Sequence, residues 1–199
     1  MLWRVMGLAS SDSGAVMDVM QAIKGRRSVR RYKSDPVSDE AVEAVLEAAR
    51  WAPSWTNSQC WRFVVVRDPQ MRDKLAATLK SATNRAAAAI REAPVTIIAC
   101  AEKGKSGYYK GEVSTDKGDW FMFDVALAMQ NLVLAAYAAG LGTVHVGLFD
   151  AKEAARILEV PENVAVVEMT PLGYAAEEPK APQRKELSEI VFKEKYGRK

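Results

Sequence analysis

From Trp120 to Ala139 the chain runs for twenty residues without glycine or proline and with a single charge, Asp124. Met, Leu, Val, Ala and aromatic side chains fill almost every other position, so a helix here is apolar on nearly all of its faces. Such a helix needs cover on every side, either at the centre of a domain or within a subunit interface. Both placements stay open from this stretch alone. In either case the other segments must assemble around it, and Gly140 and Gly142 mark its end.

The flanking segments have the lengths and periods of covering layers. Val16 to Lys24 carries apolar residues at helical spacing, and Gly25 can stop that helix. Ser38 is placed to cap a second helix with Asp39 and Glu40 in its first turn and a stripe of Val42, Val45, Leu46 and Ala49. Buried-strand signals occur at Phe63–Val66, at 95–101 after Pro94, and at 164–169, with a shorter one at 143–146. Further helices are predicted over 70–80, 82–92 and from an Asp150 cap to Leu158. The polar segment from Glu102 to Lys117, with Tyr108-Tyr109 in its middle, reads as a long lid-like loop. Helices alternating with short strands over 199 residues indicate one α+β or mixed α/β domain. Residues 1–16 are expected to be a loose leader and 17–199 the domain, ending in an amphipathic tail through Ile190 and Phe192.

The chemistry-bearing residues are few. Arg26-Arg27-Ser28-Val29-Arg30 packs three guanidinium groups and a hydroxyl into five residues, a donor set suited to a phosphate or other delocalised anion. A solvated basic turn and non-specific nucleic-acid contact are the competing readings. A net charge of +3 argues against dedicated nucleic-acid binding. The segment from Arg50 to Trp61 holds three tryptophans and several amides and hydroxyls around Pro53, and can be neither helix nor regular strand. Core packing accounts for Trp51 and Trp61, whereas Asn57 and Gln59 need partners if buried. Two cysteines, Cys60 and Cys100, and one histidine supply neither a disulfide framework nor a zinc-type cluster, which points to a reducing cytoplasm. No uninterrupted apolar run reaches the roughly 20 residues of a membrane span. His145 stands outside any nucleophile motif and reads as a structural or cofactor-adjacent residue, and no glycine-rich phosphate loop is present. A chain so poor in acid–base machinery borrows its chemistry or does none.

Taken in order, Arg26-Arg27-Ser28-Val29-Arg30, Pro36-Val37, Ala48 to Ser54 with Asn57-Ser58-Gln59, Trp61-Arg62-Phe63, Asp124, Gln130-Asn131-Leu132, Gly140 to Thr143, Pro171 to Tyr174 and Arg184-Lys185 resemble the nitroreductase-like FMN-dependent oxidoreductases. The resemblance implies an α+β fold with a central mixed, mostly antiparallel sheet flanked by helices. It implies a homodimer with two FMN sites at the interface and a C-terminal tail wrapping the partner subunit. Arg26 and Ser28, with Arg184, would hold the FMN phosphate and ribityl chain, and Arg30 would reach the N1 and C2-carbonyl edge of the ring. Arg27 belongs to the same cofactor-binding cluster, most simply as a solvated or structural charge. Pro53, Ser54 and Asn57 would come from the partner, and the backbone at Gly147-Leu148 would face N5. Trp55, Tyr108 and Tyr109 would wall the substrate pocket, with loop packing as the alternative. The implied activity is ping-pong transfer of electrons from NADH or NADPH to a small electron-poor acceptor such as a nitroaromatic or quinone, with no nucleic acid or membrane partner. A flavin-binding redox sensor, or a specialised dehalogenase, enone reductase or flavin-degrading enzyme, remains the alternative. Cys60 departs from the pattern, standing where proline is usual after Asn-x-Gln.

Overall fold

The structure is a computed structural model that describes residues 17–79 and 84–199; the leader expected at 1–16 lies outside the described residues. In chain order the elements are α1 (Val19–Gly25), α2 (Asp39–Arg50), a 3-10 turn (Trp55–Asn57), β1 (Trp61–Val66), α3 (Pro69–Ala77), α4 (Arg85–Glu92), β2 (Val95–Glu102), β3 (Tyr108–Tyr109), β4 (Glu112–Val113), α5 (Phe121–Ala138), β5 (Gly142–Thr143), α6 (Ala151–Ile157), β6 (Val164–Gly173) and α7 (Leu187–Ile190).

Helix starts follow side-chain chemistry. Ser38 accepts from the Ala41 N–H, Asp68 from Met71, and Asp150 from Lys152 and Glu153, so each satisfies donors that the first helical turn leaves free. Asp18 and Gln21 close a reciprocal capping box on α1. At the other end of a helix, buried Arg72 donates to the carbonyls of Ile90, Arg91 and Ala93, which would otherwise be orphaned at the end of α4.

The sheet has the order β1-β2-β6-β5, and every pairing is antiparallel. An isolated parallel bridge joins Ser28 to Thr143 at the β5 side. β2 is the middle of the core: Val95, Ile97, Ala99 and Ala101 face a cluster built with α2 and α5, while Ile98 and Cys100 face a cluster built with α3, α4 and α6. This is the period-2 alternation of a strand covered on both faces. Burial pushes the Cys100 thiol up to about 11, so it behaves as a small hydrophobe.

Two expectations change, and the open question of how α5 is covered is narrowed. β6 does not stop at Met169 but continues through Pro171 to Gly173, because its last residues are needed to pair with β5. The lid segment contains a hairpin, β3 and β4, turned by Lys110 (φ 50°) and Gly111 (φ 85°). α5 is covered on one face only: Asp124, Val125, Ala128, Met129, Leu132, Val133 and Ala136 are buried, but Met122 and Phe123 are 58% and 55% exposed. By length and composition α5 could cross a membrane, yet here it packs on α2 and the sheet with its one carboxylate in the buried face. The apolar residues of α1 that define its helical spacing, Val19, Met20 and Ile23, are likewise exposed, beside α5.

Candidate cofactor site

At the C-terminal end of α5 the chain builds a cradle of guanidinium groups. α1 ends against Tyr137, where a Cβ on Gly25 would lie within 2.8 Å of the ring carbons, so glycine permits the close approach. The next residues cross to β5. The Val29 N–H donates to the Thr143 carbonyl at 2.9 Å, and Val29 seats on Gly142, where any Cβ would come within 3.0 Å of it. This anchoring turns Arg26, Arg27, Ser28 and Arg30 into a cavity of about 390 Å³, closed by Pro179, Lys180, Pro182 and Arg184. Five of the predicted residues, Arg26, Arg27, Ser28, Arg30 and Arg184, therefore meet in one place.

Within the cradle the arginines are not equivalent. Arg27 Nη1 donates to the carbonyls of Lys24, Gly25 and Arg26, capping the end of α1. Arg30 is held through its backbone N–H, which donates to Glu177 at 2.7 Å, and through Nη1, which donates to the Ser28 carbonyl. Arg26 has a buried Nη1 with no acceptor among the described residues. Its pKa is lowered first by burial and then by the nearby charges of Arg184 and Arg27. A half-buried cation facing like charges, with one buried donor unused, is costly unless an anion joins it. The cradle thus suits a phosphate group, with Ser28 supplying a neutral donor.

The second predicted cluster sits at the opposite end of α5. Asp124, 1% exposed, accepts from the Trp55 N–H at 3.1 Å, from the Ser58 hydroxyl at 3.1 Å and from the Cys60 thiol at 3.7 Å. Around this one carboxylate the loop takes three left-handed residues, Thr56 (φ 43°), Asn57 (φ 58°) and Gln59 (φ 44°). Conformations of this kind cost about 1 kcal/mol or more each and persist only where the surroundings hold them. Asn57 stays exposed, accepting from the Gln59 amide at 3.1 Å, and the Gln59 N–H donates to Ser54 Oγ. Cys60 is fully buried, with its thiol pushed up to about 11 by burial and then by Asp124. Its role is that of a donor to Asp124.

Trp61 is buried as expected, whereas Trp51 is 61% exposed and donates its indole N–H to Glu47, one turn back in α2. Trp55 leans on Trp120 (centroids 5.5 Å apart), which in turn contacts Phe123. The Trp55 indole N–H is buried without an acceptor. Tyr108 and Tyr109 lie on the hairpin, Tyr109 exposed beneath the Lys110 ammonium. Gly147 and Leu148 form a short exposed span between the Val146–Met169 and Leu79–Phe149 bridges.

Asp124 and Tyr137 mark the two ends, and the helix between them spans about 20 Å. The cradle and the Pro53–Asn57 loop of one chain therefore flank opposite ends of the same rod. Sequence reading missed Lys180, Pro179 and Pro182 as walls of the cradle and Glu177 as the anchor of Arg30. It also left Asp124 without a role, although a lone charge in an apolar helix was the signal.

The fold is a three-layer α+β arrangement, helices on both faces of an antiparallel sheet, with an arginine-lined cavity beside the C-terminal end of α5. Residues 23–174 match the Nitroreductase family, and the chain belongs to it. It is 34% identical, over 82% of its length and 80% of the other's, to a Methanothermobacter thermautotrophicus protein provisionally named NADH dehydrogenase/NAD(P)H nitroreductase. It is 32% identical to a 5,6-dimethylbenzimidazole synthase of Rhodospirillum rubrum, over 81% of this chain and 84% of that one. Among solved structures, a provisionally named nitroreductase of Desulfovibrio desulfuricans in complex with FMN superimposes with a TM-score of 0.71 and 33% identity, covering 89% of this chain and 97% of the other.

Proposed function

We propose that this protein is an FMN-dependent NAD(P)H oxidoreductase that passes electrons to a small electron-poor acceptor, a nitroaromatic, a quinone or a related compound, by a ping-pong mechanism. The observation that carries the proposal is Arg26: a half-buried guanidinium whose Nη1 is buried with no acceptor among the described residues, in a cavity with Ser28, Arg30 and Arg184, in a member of the Nitroreductase family. Those residues fit the phosphate end of FMN. Bound there, the cofactor supplies the hydride chemistry for which the chain has no groups of its own.

Arg26, Ser28 and Arg184 hold the phosphate and ribityl chain. Arg30, fixed by Glu177, carries positive charge to the N1 and C2-carbonyl edge, where the reduced ring is negative. The backbone of Gly147-Leu148 faces N5. Pro53, Ser54 and Asn57 come from a second copy, because in one chain they flank the far end of α5. The exposed apolar faces of α1 and α5 (Val19, Met20, Ile23, Met122, Phe123) support a homodimer that covers them, with the C-terminal tail wrapped on the partner. Trp55, Tyr108 and Tyr109 wall the acceptor pocket. The compartment is the cytoplasm, in keeping with two buried, unpaired cysteines.

Purified protein tests this directly. It should be yellow, bleach anaerobically with NADH or NADPH, and recover colour on adding an acceptor, with parallel double-reciprocal lines. Bound flavin inert to both nucleotides would instead make the protein a redox sensor, and a colourless protein would sink both. The relative named as a synthase supports a second reading as a specialised family member, a dehalogenase, enone reductase or flavin-degrading enzyme. Product analysis across an acceptor panel, including loss of the flavin itself, separates these.

A further inference from the structure

The only histidine in the chain is not isolated. His145 Nδ1 lies 2.9 and 3.2 Å from the two carboxylate oxygens of Glu168, and Glu168 in turn accepts the Thr170 hydroxyl at 3.1 Å. The His145 side chain is 38% exposed, Glu168 only 16%, and Thr170 is fully buried. An imidazole that ties one ring nitrogen to an inner carboxylate and keeps the other edge open is oriented for outward work.

Its position gives that edge a direction. Val29, Val144 and Val146 are buried in one cluster, and Ser28 bridges Thr143. Strand alternation therefore puts Thr143 and His145 on the opposite face, the face shared by Ser28 and Arg30. Gly147 follows two residues later. His145 thus stands between the arginine cradle and the span proposed to face flavin N5. The charged groups on this face are Glu168 from β6 and Arg30 from the segment after α1, with Arg26 and Arg184 deeper in the cradle and Asp150 just beyond Leu148.

Resting on the FMN reading above, we infer that His145 is the proton donor of the acceptor half-reaction and that Glu168 is its positioning residue. Reducing a quinone or nitro group by two electrons requires one hydride and one proton. The bound cofactor would supply the hydride. The proton leaves His145 Nε2 for the acceptor oxygen, the ring becomes neutral, and solvent returns the proton. With Nδ1–H directed at the Glu168 carboxylate, the proton that is exchanged is the one on Nε2. Thr170 donates to Glu168 and keeps its carboxylate turned to the ring.

A single histidine makes the test clean, because the protein has one imidazole signal in NMR. The expected result is that the His145 imidazole resonances move when FMN is added to apoprotein. H145Q should bind FMN within about twofold of wild type, keep the NAD(P)H half-reaction, and slow acceptor reduction roughly 100-fold with loss of one limb of the pH profile. E168Q should change the imidazole nitrogen shifts and displace that limb without removing it. An imidazole signal unmoved by FMN in protein that turns yellow, or a wild-type pH profile in H145Q, overturns the inference while leaving the cofactor reading intact. Protein that takes up no FMN overturns both.

Discussion

The two ends of α5 handle buried charge in opposite ways. At the N-terminal end the lone carboxylate of Asp124 is saturated by donors from its own chain, and the loop is bent to bring them in. At the C-terminal end, half-buried Arg26 faces like charges, with its buried Nη1 unused among the described residues. A charge satisfied from within maintains structure; a charge left wanting is a receptor. The difference separates residues that shape the site from residues that recognise what enters it.

The strongest way to break the contrast is Asp124→Ala. It strands the Trp55 N–H and the Ser58 and Cys60 donors, and should cost about 3 kcal/mol of stability in urea unfolding of the apoprotein. If stability held and only cofactor binding failed, Asp124 would belong with the receptors. Arg26→Gln should do the reverse. Apoprotein stability stays level or rises, because repulsion with Arg184 and Arg27 is relieved, while FMN affinity falls by about 2 to 3 kcal/mol, roughly 30- to 150-fold by fluorescence titration. A destabilised apoprotein would make Arg26 a structural residue.

Arg30→Ala sharpens the cradle itself. Loss of its charge should weaken FMN binding about tenfold and lower the flavin midpoint potential by about 30 mV. Unchanged affinity and potential would remove it from the redox end. The smallest effect concerns Cys60. Its thiol is raised to about 11 in the fold, so below the unfolded value near 9 the thiol is neutral in both states and its contribution is intact. As pH climbs toward 11 the unfolded state loses its proton first, and about 1 kcal/mol should be gone by pH 10. Comparing the alkaline limb of thermal melts for wild type and Cys60→Ala, whose limb should be shallower, checks this.

Much of this architecture was legible from local chemistry. Ser38 and Asp150 announce their helices because capping needs only neighbours, and the β2 run of Val, Ile and Ala announces a covered strand. The arginine cluster was visible as a candidate anion site for the same reason, since its residues adjoin in sequence. What escaped depends on contacts distant in the chain. Trp55 and Ser58 reach Asp124 across more than sixty residues, Arg30 is fixed by Glu177, and Lys180 closes the cavity from the tail. The apolar pattern of α5 was plain, but the pattern cannot say which faces the same chain covers. The hairpin was hidden because its two-residue strands carry no period.

α5 also acts as a gauge. Both clusters hang from one rigid helix, so their separation and angular offset are set by the number of residues between Asp124 and Tyr137. Deleting one residue there would shorten the rod by about 1.5 Å and turn one end about 100° against the other. Neither cluster would lose a side chain, yet the two would no longer share a geometry. The span is thus closed to insertion or deletion even where single substitutions are tolerated.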